Sequence, residues 1–208
     1  MRDCDVSYPA CPMVGWTVST ARRAQESRSR TWGTTAAERT AAFPCDGVIA
    51  APDDRLYRGV TVQASAATVY RWLCQLRAAP YSYDWIDNRG RQSPRHLIAG
   101  LDDLAVGQSV MGIFTLVDFR RDDHLTIRIK PRTAAFRLFG DVAGTYRVAP
   151  SDGPACRLLA KLVVCYPPGI AGAFMRRLLP WGDLVMMRRQ LLNLKALAEA
   201  GERDTAPP

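Results

Sequence analysis

Between residues 108 and 165 the apolar residues alternate with period two, broken every eight to twelve residues by a turn sequence; the spacing then becomes that of a long helix. Arg121-Asp-Asp123, Lys130-Pro131, Gly140-Asp141 and Ser151-Asp-Gly-Pro154 are the turns, rich in residues that tolerate or preset turn dihedrals. Leu125, Ile127 and Ile129 alternate with Thr126, Arg128 and Lys130. The pattern predicts strands over 108–114, 115–120, 124–130, 134–139, 142–149 and 156–165. Connections this short leave no room for the crossover helices of parallel strands, so the segment reads as an antiparallel meander. Pro167-Pro168-Gly169 ends it. Leu184, Met187, Leu191, Leu194 and Ala198 then form one stripe, with Leu197 beside it, of a helix over 170–200 interrupted near Pro180. Such a stripe needs an apolar surface, and the concave face of the meander is the one large enough.

Upstream, Tyr57 to Ala64 reads as a strand, with Arg58, Val60, Val62 and Ala64 on one face and Tyr57, Gly59, Thr61 and Gln63 on the other. Ser65 is placed to cap a helix carrying Val69, Trp72, Leu73 and Leu76. Ser93-Pro94 opens a second short helix running to about Gly100. Thr35-Ala-Ala-Glu38 has the form of a capping box, and its helix must stop before Pro44. Residues 1–30 lack a sustained apolar period and read as a flexible arm in which Trp16 stands out. Residues 31–200 form the domain and 201–208 a disordered tail. The fold class is α+β: a curved antiparallel sheet of about six to seven strands wrapped around a C-terminal helix, with two short helices after the first strand.

Composition narrows the function. With 208 residues, 48% hydrophobic and 23% charged, the chain can bury a core, which excludes wholesale disorder. The net charge of +8 lies in the body: residues 1–55 carry seven basic and seven acidic side chains, residues 56–208 carry 21 and 13. A basic surface favours anionic partners through its field. The arginines are scattered, however, apart from the pairs Arg22-Arg23, Arg120-Arg121, Arg176-Arg177 and Arg188-Arg189, which argues against nucleic acid. Arg176-Arg177 beside Leu178-Leu179-Pro180-Trp181 reads as a lip for transient membrane contact. The six cysteines form no Cys-x-x-Cys pair and the chain has two histidines, so no metal site is indicated. There is no Gly-x-Gly-x-x-Gly or Walker sequence, and no cofactor is called for. The longest apolar stretch, Leu162 to Met175, is 14 residues and holds two prolines, too short and broken to span a bilayer. The start lacks the basic-then-apolar order of a secretory signal. These features describe a cytoplasmic protein with reduced, buried thiols.

Trp32-Gly33-x4-Glu38, Pro44-x-Asp46, Val60-x-Val62-x-Ala64 with Trp72-Leu73-x-Gln75-Leu76, Tyr81-Ser-Tyr-Asp84-x-x-Asp87-Asn88-x-Gly90-x-x-Ser93, Leu104-x-Val106-Gly107 and Met186-x-Arg188-x-x-Leu191-Leu192-x-Leu194-Lys195 together resemble the helix-grip (START-like, SRPBCC) superfamily. More narrowly, they resemble actinobacterial proteins described as polyketide cyclase or dehydrase-like. The likeness covers roughly residues 31–199. It departs in the shortened link Arg77-Ala-Ala-Pro80 and in Met187, where an acid often precedes the arginine of the last helix. The resemblance implies an internal hydrophobic cavity and cofactor-free cyclisation or dehydration of a polyketide-like or other hydrophobic natural-product intermediate. A carrier or sensor of a lipid-like or aromatic molecule would use the same cavity.

Aromatic and thioether side chains with a few polar groups suit a flat, hydrophobic ligand. The candidate lining is Trp72, Tyr81, Trp85, Met111, Phe114, Phe119, Phe136, Trp181 and Met187, with Arg128 as a partner for a ligand carboxylate or enolate if it points inward. Tyr83, Asp84 and Tyr146 are the candidate acid–base groups. A bland reading stands beside this one: the aromatics are core, Asp84 and Asp87 hold a turn, and Arg128 faces outward.

Overall fold

The computed structural model describes residues 27–88, 90–151 and 155–205. Cys4, Cys11, Trp16 and most of the N-terminal arm, the middle of the Ser151–Pro154 turn and the last three residues of the tail lie outside the described residues. Three short helices, α1 (Arg28–Thr31), α2 (Ala36–Thr40) and α3 (Cys45–Val48), precede β1 (Asp54–Val62). Then come α4 (Ala66–Cys74) with a 3-10 turn (Gln75–Arg77), and α5 (Asp84–Asp87). The meander is β2 (Ser109–Val110), β3 (Phe114–Arg120), β4 (His124–Ile129), β5 (Asp141–Pro150) and β6 (Cys156–Cys165), with α6 (Ala134–Phe139) between β4 and β5. Helix α7 (Gly169–Thr205) closes the chain. The six strands lie in the order β1-β6-β5-β4-β3-β2, antiparallel throughout.

Alternation in the strands puts Val60, Val62, Leu125, Ile127, Tyr146, Val148, Leu158 and Ala160 into one core with Met187, Leu191, Leu194 and Ala198 of α7. The helical stripe read from the sequence is thus the one the sheet grips. The caps form as their chemistry requires: Ser65 Oγ accepts from Thr68 N at 3.2 Å, and Thr35 and Glu38 complete the capping box of α2.

Four elements differ from expectation. Residues 134–139 are helix α6, not a strand. Thr133 caps it by accepting from Phe136 N, and Gly140 ends it at φ +83°. Six residues of apolar alternation cannot by themselves separate a strand from one and a half helical turns. No helix forms over 93–100; Ser93 instead donates both its N–H and its hydroxyl to Asp84, at 2.9 and 2.5 Å, and ties this loop to α5. The short helix of this region is α5. The strand over 108–114 shrinks to two residues, since Met111 and Gly112 turn the chain at φ +48° and +73°. Helix α7 passes through Pro180 without interruption. Proline removes the main-chain bond that the Arg176 carbonyl would accept. Arg30 Nη2 donates to that oxygen instead, at 3.4 Å, held in place by Nε and Nη2 bonds of 2.9 and 2.8 Å to the two oxygens of Asp54.

The outer face of the sheet is also covered. Phe43, Cys45 and Ile49 pack on Ala143, Leu159, Val163 and Cys165. Arg157 Nε pairs with Glu38 at 2.7 Å and Lys161 Nζ with Asp46 at 2.6 Å. Gly33 (φ +73°) lies so close to β1 that a Cβ there would sit 2.1 Å from the Gly59 carbonyl oxygen. Cys45, Cys74 and Cys156 are buried free thiols, whereas Cys165 is disulfide-bonded, which corrects the reading of uniformly reduced cysteines. Among the described residues, no helix is long and apolar enough to cross a membrane.

Candidate functional site: a cavity between sheet and helix

Small residues on the inner face leave α7 standing off the sheet. Gly144 on β5 and Ala160 on β6 floor a cavity of about 450 Å³, walled by Ile127, Ile129, Val142 and Leu162. Met175, Leu179, Gly182, Asp183, Met187 and Gln190 of α7 roof it. Pro80, Ser82, Ile86 and Asp87 close one side, and Met111, Ile113, Phe114 and Phe139 another. Ile86, Ile113 and Leu178 are 53%, 38% and 48% exposed, which marks the mouth. Tyr146, Met187 and Gln190 are buried and mark the inner end.

Two polar stations interrupt this lining. At the inner end the Tyr146 hydroxyl donates to Gln190 Oε1 at 2.7 Å and lies 3.4 Å from Met187 Sδ. Gln190 Nε2 in turn donates to the Pro80 carbonyl at 2.6 Å and approaches Met111 Sδ at 3.2 Å. Burial holds the Tyr146 phenol well above its ordinary pKa, so it stays protonated and acts as a donor. The second station is Asp183, whose Oδ2 accepts from Arg58 Nη2 at 2.7 Å. Burial raises the Asp183 carboxyl against the opposing pull of the guanidinium. Arg58 is itself buried, and it also donates to the main-chain oxygens of Tyr57, Ser29 and Pro180, at 2.9, 2.8 and 3.3 Å. Near the mouth, Asp87 accepts from the Ser82 hydroxyl, and its carboxyl is raised by burial despite that bond.

Of the residues singled out from the sequence, the structure brings Met111, Phe114, Tyr146 and Met187 together on the cavity wall. Trp72 and Tyr81 meet edge to face in the core, ring centroids 6.1 Å apart. Burial pushes the Tyr81 phenol up to about 12. The Arg189 guanidinium lies over the Tyr83 ring at 6.0 Å, and Asp84 holds the loop through Ser93. Phe119 packs against the main core from β3, and Phe136 sits on α6 against a third cluster around Ile129 and Tyr166. Trp85 and Trp181 are exposed. Arg128 turns to the outer face and grips Asp141 with Nε at 3.1 Å and Nη2 at 2.5 Å. Thr145 and Lys161 border the cavity, yet their side chains point outward, to Cys45 N at 3.0 Å and to Asp46. Among the described residues no group of acids, histidines and cysteines is arranged to hold a metal.

Sequence reasoning passed over Arg58, Asp183 and Gln190 and left Asp87 as a turn residue. A signal was there for the first three. Arg58 shares strand parity with Val60 and Val62, and Asp183 and Gln190 share helical spacing with Met187 and Leu194. A polar residue in register with an apolar stripe faces the interior and needs a partner there.

No protein-family model matches the chain, and no curated protein matches it in sequence. Solved structures do resemble it. A hypothetical protein from Helicobacter pylori superposes over 76% of this chain and 96% of its own, with 15% identity and a TM-score of 0.51. The di-domain ARO/CYC StfQ from the steffimycin biosynthetic pathway matches at 13% identity over 71% of this chain and about half of its own (51%), with a TM-score of 0.46. Norcoclaurine synthase from Thalictrum flavum matches at 11% identity over 71% and 95% of the two chains, with a TM-score of 0.42. Identities this low speak to fold alone. The strand order, the C-terminal helix lying across the inner face and the cavity between them give this chain a helix-grip fold.

Proposed function

We propose that the chain binds a largely apolar small molecule, polyketide-like or polycyclic, in this cavity and orients it by one oxygen. What carries the reading is the lining: mostly hydrophobic, with few polar groups, of which the hydrogen-bonding pair Tyr146 and Gln190 stands at its buried end. An apolar pocket of a few hundred Å³ with few convergent polar groups is the usual anatomy of a small-molecule site. A ligand carbonyl takes the place of Gln190 Oε1 as acceptor for the Tyr146 hydroxyl, and the released amide oxygen accepts from a neighbouring ligand hydroxyl. The apolar body lies against Ile127, Val142 and Leu162. Binding of this kind requires no titrating group.

Native mass spectrometry of the purified protein, followed by extraction of retained molecules, tests this directly. An environment-sensitive apolar dye gives a second readout: Ala160→Phe should abolish dye uptake in a protein that still unfolds cooperatively. Full uptake by that variant would place the dye elsewhere and sink the reading.

A second reading, cofactor-free cyclisation or dehydration, is favoured by one observation. Asp183 and Asp87 line the same cavity, and burial raises both carboxyls. A carboxylate of raised pKa is the better base toward a carbon acid, and the protonated Tyr146 would donate to the enolate oxygen that results. Under this reading Asp183→Asn leaves ligand affinity within about threefold and lowers turnover by about a hundredfold or more. Equal losses in affinity and turnover would reduce Asp183 to a packing role.

A further inference from the structure

Helix α7 is apolar on two opposite faces over its first five turns. One face roofs the cavity and joins the core. The other carries Ile170, Phe174, Leu178, Trp181 and Val185, spaced four, four, three and four residues apart, a single stripe by helical geometry. These side chains are 91%, 61%, 48%, 56% and 51% exposed, so no described part of the chain covers them. Leu178 belongs both to the stripe and to the cavity lining. Ile86 and Ile113 extend the exposed apolar rim around the mouth, and Trp85 stands 76% exposed beside Ile86.

We propose that this face docks on an anionic lipid bilayer, with the cavity mouth at the membrane surface. The charges around it select that occupant. Placed at 100° per residue, the stripe is bracketed by Arg177 and Arg188 on one edge and Arg189 on the other, all exposed. Between Gly169 and Gln190 the only acid on the helix is Asp183, which is turned inward to Arg58. Exposed Arg137 adds to the positive charge on α6, while Asp87 is the acid at the mouth. An apolar face with indole and phenyl side chains and arginine flanks is the pattern of a helix lying in the interface of an anionic membrane. A second copy of the chain fits less well, since an isologous contact would bring two arginine-flanked faces together. Docking needs no bound ligand. Its use, exchange of an apolar molecule between bilayer and cavity, rests on the binding function proposed above.

The test is sedimentation of the full chain with vesicles of phosphatidylcholine alone and of phosphatidylcholine with phosphatidylglycerol. Binding should require the anionic lipid, weaken as salt rises, and fall about tenfold or more in Phe174→Ser/Trp181→Ser. Both positions are exposed, so the variant should keep the parent's thermal transition and its dye uptake without vesicles. Loss of dye uptake in the parent would count against the cavity reading and leave docking standing. Absence of binding to anionic vesicles at low salt overturns the proposal. So does undiminished binding by the double variant. A lipid-free dimer that the same two substitutions dissolve would assign the face to a second copy and also overturns it.

Discussion

At the scale of single residues the buried Arg58–Asp183 pair decides most. A guanidinium in the interior is costly unless its donors are met. Here Nη1 and Nη2 meet a carboxylate and three main-chain oxygens, while Nε stays buried without a partner. Removing one partner strands the other, so Asp183→Ala should destabilise the fold by about 3–5 kcal/mol. Arg58→Met/Asp183→Leu should cost much less than the two single changes added together. Urea titration of the four proteins measures both quantities, and strict additivity would show that the two residues are not energetically coupled. Tyr146→Phe leaves Gln190 Oε1 buried without its donor, a loss of about 1–3 kcal/mol. Affinity for an oxygen-bearing ligand should fall about tenfold, with affinity for a purely hydrocarbon one unchanged.

At the scale of elements, α7 carries the strongest expectations. Gly182 lies in mid-helix with open space where a Cβ would stand, so Gly182→Ala should raise stability by about 1 kcal/mol. Gly182→Phe keeps the helix and pushes a ring into the cavity it lines. It should lose dye uptake with no loss of thermal stability, which separates binding from folding. The Pro180 site couples two elements. Restoring the main-chain donor with Pro180→Ala should reduce the cost of Arg30→Ala, since the Arg176 carbonyl then has its helical partner again. An unchanged cost would mean that Arg30 acts through Asp54 alone.

At the scale of the whole molecule, carboxyls paired on both sides of the sheet make stability depend on pH. Burial by itself would raise the Glu38 carboxyl, but its bonds to Arg157 and Thr35 outweigh that and lower it below the ordinary 4.5. Glu199, bonded to Lys195 and to the Gln63 amide, is lowered for the same reasons. A depressed carboxyl contributes stability that is complete above its unfolded pKa and is lost as pH falls through the folded one. The midpoint of thermal unfolding should therefore drop below about pH 4.5, and Glu38→Gln/Glu199→Gln should flatten that drop. Asp183 has the opposite sign. With its carboxyl raised above 3.8, its contribution is full at low pH and declines as pH rises through the folded value. A profile steeper in the double Gln variant would contradict the assignment.

Much of the architecture was legible in the chain. Strand parity in β1, β4 and β6, the cap at Ser65, the capping box at Thr35 and the stripe on α7 are local patterns with one low-energy solution, so the sequence alone determined an antiparallel sheet gripping a helix. It also contained the signal for the inner polar residues, since Arg58 and Gln190 keep the period of their apolar neighbours. Residues 134–139 became a helix through the local cap at Thr133 and the stop at Gly140, a signal that the hydrophobic period masked. Other features depended on contacts distant in sequence. Continuity at Pro180 depended on Arg30, 146 residues from the carbonyl it serves. The outward side of Arg128 followed from its alternation with Ile127 and Ile129, and only the fold brought Asp141 within its reach; Trp85 and Trp181 stayed outside because α5 and α7 present them away from the core. Which side chains surround a cavity is set by how far α7 stands from Gly144 and Ala160. That separation is a property of packing between elements, and no local period encodes it.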